Sequence, residues 1–440
     1  MAIETGLLVA GGGPAGLAAA TEAAEAGVEV LVADEHRTAG GVLACLGQMP
    51  VATDAGPAPA ADLRRALADA ARAAGATILT ETLVWAAFED LSAGVLTPGE
   101  NLEVRAQAIV VAAGAADRPL PFPGWETPNV LNAQEALRLV SFHDALRDRI
   151  AVVAGAGGAG VPVALALRAG GLTVAALAEA ASLADDERAA LAGAGIPAVE
   201  GARVAAAEGQ EYLRAVILQR NGERRRIDAD VLVLATGRMP LIELLGVAGC
   251  ATEWRPDLGG YIPVRSARLE TSVAGLFAAG ACGAVCGPLT AVAEGRLAGA
   301  AAALRLGRGS GARVEALEQA LVRARSQEAA QVAREMTVLA ELEADAVAAA
   351  LRDPDQIFCR CEKVPVAKVQ AAIEWGARTA GEVKRLTRVG MGECQGRACR
   401  PLLSRAVAQI LGEDIIRVQP ITYRPPVRPI PLAALLRGTE

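Results

Sequence analysis

Two copies of a strand, glycine-rich turn and helix pattern constrain the fold of this 440-residue chain most. In the first copy an apolar strand at residues 7–10 enters a G-x-G-x-x-G turn, whose glycines permit a tight turn, close approach to a pyrophosphate and close helix packing. The turn contains Gly11, Gly13, Pro14, Ala15 and Gly16. The next strand ends at Asp34 and Glu35, where a carboxylate can accept hydrogen bonds from ribose hydroxyls. This order of elements predicts a dinucleotide-binding α/β domain.

A second copy of the pattern starts with a strand at residues 151–154 and closes on the acid Glu179. Its turn contains Gly155, Gly157 and Gly160. If nicotinamide binds here, Glu179 favours NAD over NADP, because a carboxylate repels a 2′-phosphate. A duplicated fold can also keep its shape after losing its ligand. A second adenine nucleotide and a fold without a ligand are therefore both open at this turn.

Two segments that run from a strand into glycine, residues 108–114 and 231–237, lie on either side of the second copy. They resemble the crossing points of two-dinucleotide-binding-domain flavoproteins, and residues 271–280 resemble the segment that brings a strand end to the flavin. The resemblance implies an α/β fold in which an FAD-binding domain carries an inserted second Rossmann-like domain. Further FAD contacts that it implies are Gly40, Gly41, Val84, Ala113, Gly114, Gly280 and Ala281.

Ala281 departs from the pattern of those flavoproteins. They usually have Asp at this position, where the carboxylate accepts a hydrogen bond from the ribityl chain of the flavin. Losing one such hydrogen bond costs about 1–3 kcal/mol of cofactor affinity. Weaker FAD binding and a nucleotide other than FAD are both alternatives, while the intact pyrophosphate and ribose motifs favour FAD.

Four cysteines in the last quarter of the chain form a C-x-C pair and a C-x4-C pair. They are Cys359, Cys361, Cys394 and Cys399. Four thiolates suit a [2Fe–2S] cluster, and zinc is the alternative, although structural zinc sites usually show C-x2–4-C spacings. Residues 351–440 carry fifteen Lys and Arg against nine Asp and Glu, a net charge of +6. That charge favours an anionic cluster and is equally typical of a solvated basic surface.

The other cysteines have a simpler interpretation. Cys282 and Cys286 follow the position expected to lie near the flavin, so they are either a redox dithiol or small core residues. Packing is the favoured interpretation, because free cysteine is among the most buried residue types. Cys45 and Cys250 are predicted to be isolated core residues.

Composition and patterning predict five parts in the chain. Residues 1–117 and 235–310 form the FAD-binding domain and residues 118–234 the inserted NAD(P)-binding-like domain. Residues 311–352, rich in Ala, Glu and Arg, form a helical linker. Residues 353–418 form a small helical [2Fe–2S] domain, and the proline-rich residues 419–440 form an extended tail that wraps on the chain's own surface or on a partner, or is disordered.

Several classes of function are disfavoured by composition. The net charge of −7 argues against nucleic-acid binding. The two histidines, His36 and His143, are too few for a His-centred triad or a multi-histidine metal site, although His36 is placed to touch a nucleotide. The chain shows neither a signal-peptide pattern nor an apolar run of about 18 residues, so a cytoplasmic protein without a membrane span is expected.

Almost the whole chain resembles the α subunits of bacterial multi-subunit amino-acid dehydrogenases, which include opine oxidases, dye-linked proline and hydroxyproline dehydrogenases and hydrogen cyanide synthase. The resemblance rests on residues 11–16, 113–125, 359–362 and 390–399. The last segment resembles the [2Fe–2S] domain of bacterioferritin-associated ferredoxin, with a longer final spacing.

This resemblance implies an electron-transfer subunit that takes electrons from a β subunit built like a flavoprotein oxidase. It would relay them through flavin and cluster. The resemblance allows FMN at the α–β interface, as in relatives, and a small third subunit. The alternatives are a free-standing NAD(P)H-dependent reductase, in which the inserted domain binds nicotinamide, and a non-catalytic scaffold subunit, for which Ala281 is the only support in the sequence.

Overall fold

The computed structural model describes residues 2–436, which form two units. Unit 1 contains the described residues up to Ala115, Met239–Val332 and those from Tyr423 onward. Unit 2 contains Ala116–Arg238 and Ala333–Thr422. Each unit is therefore assembled from stretches of chain that are far apart in sequence, while the five-part division stays a prediction.

Short strands alternate with helices along the chain. The strands are β1 (Ala2–Ala10), β2 (Val30–Ala33), β3 (Pro50–Val51), β4 (Ala58–Pro59), β5 (Thr77–Leu79), β6 (Leu83–Ala87), β7 (Ser92–Leu96), β8 (Asn101–Val111), β9 (Ala115–Asp117), β10 (Val130–Asn132), β11 (Ile150–Gly155), β12 (Thr173–Glu179), β13 (Ala198–Glu200), β14 (Arg203–Gly209), β15 (Leu213–Arg220), β16 (Glu223–Asp228), β17 (Val231–Ala235), β18 (Arg238–Pro240), β19 (Thr252–Arg255), β20 (Gly260–Pro263), β21 (Leu276–Ala278), β22 (Ile357–Cys359) and β23 (Val364–Pro365).

The helices include one of 40 residues that continues from the first unit into the second. They are α1 (Pro14–Glu25), α2 (Leu43–Leu46), α3 (Ala60–Ala73), α4 (Ala133–His143), α5 (Gly160–Ala169), α6 (Asp185–Gly193), α7 (Glu243–Val247), α8 (Pro288–Arg305), α9 (Gly311–Ala350), α10 (Val366–Glu374), α11 (Ala380–Thr387), α12 (Arg400–Leu411) and α13 (Leu432–Leu436), with short 3-10 helices at Pro256–Leu258, Gly280–Cys282 and Ile415–Arg417. The helix expected from the composition of residues 311–352 is confirmed as α9.

Unit 1 is built on a sheet with the strand order β5-β2-β1-β8-β7-β6, in which β21 also pairs with β8. Strands β5, β2, β1, β8 and β21 run parallel, and β7 and β6 are antiparallel. Leu7 and Val9 pack into the core under α1 and α8, while Leu8 and Ala10 pack into the core on the other face. Strand β1 is apolar from Leu7 onward because parallel strands are covered on both faces.

Helices α1 and α8 pack at very short range. A Cβ at Gly295 would overlap the carbonyl oxygen of Ala15, and a Cβ at Gly299 would overlap that of Ala19. Interiors are close-packed, so neither helix backbone can yield easily to an added methyl group. The many small residues of the sequence thus serve the approach of a helix to the first glycine-rich turn.

Unit 2 contains a parallel sheet with the order β10-β17-β11-β12-β13 and a three-stranded antiparallel sheet, β14-β15-β16. Its core is shared with the cysteine-bearing end of the chain. Val152 and Leu232 of the parallel sheet belong to the same apolar cluster as Phe358, Val366 and Leu402. Residues 353–418 therefore bury their apolar side chains against the inserted residues within this unit.

The proline-rich tail packs on unit 1. Residues 418–431 form neither helix nor strand, Tyr423 and Val427 join an apolar core of that unit, and the Val427 N–H donates to the Trp85 carbonyl at 2.9 Å. The expectation of an extended tail was wrong for its last described residues, because helix α13 starts at Leu432, directly after the final proline. Residues 437–440 of the predicted tail lie outside the described part of the chain.

Candidate functional site

The first glycine-rich turn connects β1 to α1. Gly11 has a φ of +111°, and a Cβ there would overlap the Ala112 carbonyl oxygen, so only glycine fits. The Gly40 N–H donates to the Gly12 carbonyl at 2.7 Å, which holds the Gly40–Gly41 turn against the first turn. Pro14 occupies the first helical turn of α1, and the start of a helix favours bound anions. The structure thus brings the residues predicted for the pyrophosphate together.

The acids predicted to bind ribose differ in burial. The Asp34 carboxylate is buried and accepts from the Gly12 N–H at 2.7 Å and from the His36 N–H at 2.8 Å. The His36 ring Nδ1 lies 3.0 Å from the same carboxylate. Glu35 is more exposed and lies 3.6 Å from Arg428 of the tail. Asp34 therefore holds the turn in place, and Glu35 faces outward beside it.

At the end of β21 the structure shows a buried ionic cluster beside Gly280. The Gly280 N–H donates to Glu294 Oε2 at 2.9 Å. Arg265 Nη1 lies 2.9 Å from the same oxygen, and Arg325 Nη2 lies 2.6 Å from Oε1. Burial alone raises the pKa of Glu294, but the two guanidinium groups outweigh it and hold the pKa below its ordinary value. Sequence reasoning missed Glu294, which fixes the backbone just before Ala281.

The start of α8 carries a carboxylate from α9. Glu328 accepts hydrogen bonds from the N–H groups of Gly287, Leu289 and Thr290 at 3.0, 3.1 and 3.2 Å. The unpaired donors of a helix start are thus taken by the chain's own side chain. Within unit 1, the residues for the phosphate and ribose fit a dinucleotide, whereas the flavin end offers Ala281 in place of an acid.

The cysteines next to Gly280 are core residues. Cys282 is fully buried and its thiol donates to the Val111 carbonyl at 3.1 Å. Burial raises the pKa of Cys282 to about 11, which disfavours a thiolate. Cys286 is also buried, and the cysteines of this chain form no disulfide in the described structure. These observations favour the packing interpretation over a redox dithiol.

Val84, also predicted as an FAD contact, is a buried residue of β6. Just before it, Thr82 N–H donates to the Asp34 carbonyl at 2.8 Å, so this segment borders the acid of the first turn. Ala113 and Gly114 follow β8 and are half-buried. The Gly114 carbonyl accepts from the Leu241 N–H at 3.1 Å.

In unit 2, the second turn lies between β11 and α5. Glu179 is fully buried, and its carboxylate accepts from the Gly157 N–H at 2.8 Å and the Gly158 N–H at 3.3 Å. Burial raises the pKa of Glu179, while these N–H donors oppose the shift. The acid predicted for a second ribose therefore binds the turn itself.

The four C-terminal cysteines meet as two pairs, and each pair takes one residue from each motif. Cys399 Sγ lies 3.9 Å from Cys359 Sγ, and that hydrogen bond lowers the pKa of Cys359 to about 6. Burial and then the hydrogen bond with Cys394 raise the pKa of Cys361 to about 11. Among residues 2–436, no three or more His, Cys, Asp or Glu side chains are placed together as a metal site. The donor chemistry suits a cluster with two thiolates per iron.

Glycines and one tryptophan position the cysteine segments. A Cβ at Gly392 would lie 2.6 Å from Cys361 Cβ, so the C-x4-C loop approaches the C-x-C loop through a glycine. The fully buried Trp125 donates from Nε1 to the Ile357 carbonyl at 2.6 Å. Arg360 lies 5.5 Å from the Trp125 ring centroid and donates to the Val130 carbonyl at 2.8 Å. Trp125 thus anchors the C-x-C segment, a role that the sequence did not indicate.

A buried ion cluster ties α9 and α12 to the residues after β9. Arg118 Nη2 lies 2.7 Å from Glu343 Oε2, and Arg405 Nε lies 3.2 Å from Glu343 Oε1. Arg118 and Glu343 are 3% and 1% exposed, so the charges stabilise each other out of water. In the described part of the chain, no helix combines the length and hydropathy that crossing a membrane requires.

Comparison with protein families matches two models to the chain. Residues 5–307 match the model described as pyridine nucleotide-disulphide oxidoreductase. Residues 356–439 match the sarcosine oxidase A3 domain, which covers the cysteine-bearing segment and the tail.

Curated relatives match nearly end to end. A subunit of opine oxidase from Agrobacterium tumefaciens is 30% identical, over 98% of this chain and 91% of that protein. Hydrogen cyanide synthase subunit HcnB of Pseudomonas aeruginosa is also 30% identical, over 98% of this chain and 99% of that protein.

Solved structures share the fold. A crystal structure of L-proline dehydrogenase from P. horikoshii superposes with a TM-score of 0.76 at 22% identity, covering 99% of this chain and 80% of that one. Thioredoxin reductase from T. acidophilum gives a TM-score of 0.58 at 20% identity over 69% of this chain and 99% of its own. The expected α/β fold of the flavoprotein type is therefore confirmed.

Proposed function

The chain belongs to the pyridine nucleotide-disulphide oxidoreductases, in the group that contains the matching opine oxidase subunit, and from this premise we propose that it is the electron-transfer subunit of a flavin-dependent amine or amino-acid dehydrogenase. An oxidase-like flavoprotein β subunit would oxidise an opine-, proline- or glycine-type substrate. This chain would accept the electrons and pass them on. Its oxidoreductase family implies FAD, and the [2Fe–2S] cluster is part of the proposal.

The observation that carries the proposal is the meeting of two cysteine pairs in a chain of this family. Cys359 and Cys399 lie 3.9 Å apart, and Cys361 contacts Cys394. Four cysteine thiolates are the usual ligand set of a [2Fe–2S] cluster. A flavin takes up an electron pair and such a cluster takes one electron at a time, so together they divide a two-electron oxidation into single steps.

The chain's own residues would bind and orient these groups. The turn at Gly11, Gly13 and Gly16 would hold the pyrophosphate at the start of α1, with Asp34 keeping the turn in place. Trp125 and Arg360 would hold the C-x-C segment, and the nearby guanidinium charge would favour an anionic cluster. The same proposal includes a small third subunit, together with FMN where this chain meets the β subunit.

Spectroscopy of the purified full chain tests the cluster. We expect about two iron atoms per chain and an EPR signal after reduction with dithionite. Cys361→Ser and Cys394→Ser should lose that signal, because each removes a thiolate ligand. Cys45→Ser is the matched control, since Cys45 is a free cysteine of the other unit. Colourless protein with stoichiometric zinc would overturn the cluster.

Electron delivery tests the role in a complex. The chain is co-expressed with an oxidase-like flavoprotein, and its absorption is followed in a stopped-flow instrument. Amino-acid substrate should reduce this chain only when the β subunit is present. Rapid reduction of the isolated chain by NADH would instead identify the free-standing reductase. Failure to bind FAD in titration of the isolated chain would favour the scaffold.

A further inference from the structure

The two glycine-rich turns differ in what lies in front of them. Gly13 and Gly157 occupy the same position of the G-x-G-x-x-G pattern, where the backbone must leave room for a pyrophosphate. A Cβ at Gly13 would have the Gly41 Cα at 3.9 Å as its nearest neighbour. A Cβ at Gly157 would lie 2.8 Å from both the Arg334 carbonyl oxygen and the Glu335 Cα. The backbone of α9 therefore lies against the second turn, where a phosphate would approach.

The side chains of α9 close the same space. A Cβ at Gly158 would overlap the Arg334 guanidinium, which forms an ion pair with Glu187 of α6. Glu335 is 7% exposed, and Arg238 Nη2 lies 3.3 Å from its carboxylate. These contacts lie within unit 2 and fix α9 to the turn at both residues.

The donors of the second turn are also in use. A dinucleotide binds such a turn by placing its pyrophosphate on the backbone N–H groups. Here the N–H groups of Gly157 and Gly158 donate to the buried Glu179 carboxylate. The chain's own anion thus takes the place of a phosphate, and its own helix fills the approach.

We propose that the second glycine-rich turn is a docking site for α9 and takes no dinucleotide. The residues predicted for a second nucleotide, Gly155, Gly157, Gly160 and Glu179, then serve packing of the helix instead. Nicotinamide cannot deliver electrons through unit 2, so the free-standing reductase lacks its entry site. This inference rests on the packing of unit 2 and does not depend on the cluster or on the proposed partner.

Hydrogen exchange with mass spectrometry tests the closure directly. The full chain is incubated with NADH, NADPH or ADP at millimolar concentration, and protection is compared for peptides that cover residues 155–160 and 11–16. We expect no change of protection at residues 155–160 with any of the three probes. Ligand-dependent protection at residues 155–160 would overturn the proposal, whatever happens at residues 11–16.

Substitution of Gly157 tests the docking of α9. Gly157 and Gly195 have φ values of +64° and +68°, but a Cβ at Gly195 would meet nothing within 4 Å. Both changes to Ala carry the same backbone strain, so the difference between them reports contact with α9. We expect Gly157→Ala to lower Tm by several degrees more than Gly195→Ala. Equal shifts of Tm would contradict the docking.

A second variant keeps the proposal testable if Gly157→Ala does not fold. Arg334→Ala removes the guanidinium in front of Gly158 and its ion pair with Glu187. We expect faster amide exchange at residues 155–160 and along α9 near residue 334. Arg37→Ala, at an exposed ion pair with Glu81 in unit 1, is the control and should leave both regions unchanged. Unchanged exchange in the Arg334→Ala variant would overturn the proposal.

Discussion

Replacing Glu294 by Ala tests the buried ionic cluster beside Gly280. The substitution leaves Arg265 without its carboxylate, although the Arg265 side chain is only 9% exposed. It also removes the acceptor of the Gly280 N–H. Arg325 is about half exposed and can turn to water, so its lost pair contributes little.

The magnitude follows from the burial of the partner that remains. Removing one partner of a buried ion pair costs about 3–5 kcal/mol. A change of 1 kcal/mol shifts Tm by about 2–4 °C in a unit of this size. Glu294→Ala should therefore lower the Tm of unit 1 by roughly 6–20 °C. Glu318→Gln breaks the partly exposed pair with Arg268 and should cost at most about 1 kcal/mol.

Differential scanning calorimetry of both variants between pH 3 and pH 8 (roughly the range over which carboxylates titrate) is the assay. The two arginines hold the pKa of Glu294 below its ordinary value, so its stabilisation is complete above about 4.5 and is lost as pH falls through the lower folded pKa. The difference between wild type and Glu294→Ala should be constant above that pH and shrink below it. A Tm shift no larger than that of Glu318→Gln would refute the reasoning.

Two further substitutions have defined outcomes. Gly295→Ala should destabilise unit 1 by about 1–3 kcal/mol in urea unfolding, because the new methyl group would overlap the Ala15 carbonyl, whereas Gly193→Ala in open space should be neutral or slightly stabilising. Burial raises the pKa of Asp117 to about 6, so the folded protein binds this proton more tightly than the unfolded chain and loses stability as pH rises from about 4 to 6. Asp117→Asn, which can still accept from the Gln134 N–H, should lack that fall; a pH-independent difference from wild type would contradict the assigned pKa.

The sequence was sufficient where local chemistry decides the structure. The strand-turn-helix patterns specify their own backbone, since glycine is needed at Gly11 whatever surrounds it. The Thr379 and Glu382 pair was predicted as a capping box, and it forms with hydrogen bonds of 3.0 and 3.1 Å. Helix α9 follows from composition alone, because it is rich in strong helix formers.

The sequence was insufficient where distant residues meet. Composition gives the helical state of residues 311–350 but not the contacts of Glu328 with α8 or of Arg334 with the second turn. The C-x-C and C-x4-C motifs suggested four ligands, but the pairing of Cys359 with Cys399 depends on how the two loops pack. Both results come from tertiary packing, which has no signal in a local pattern.

The tail at Tyr423 and Val427 has a consequence for the order of synthesis. The ribosome makes β1 first, yet the core on one face of its sheet is completed by residues of α7 and finally by the tail. Domains that fold during synthesis do so as each one emerges. Unit 1 cannot bury its full core until nearly the whole chain has been made, so its exposed sheet depends on protection by a chaperone until the last residues leave the ribosome.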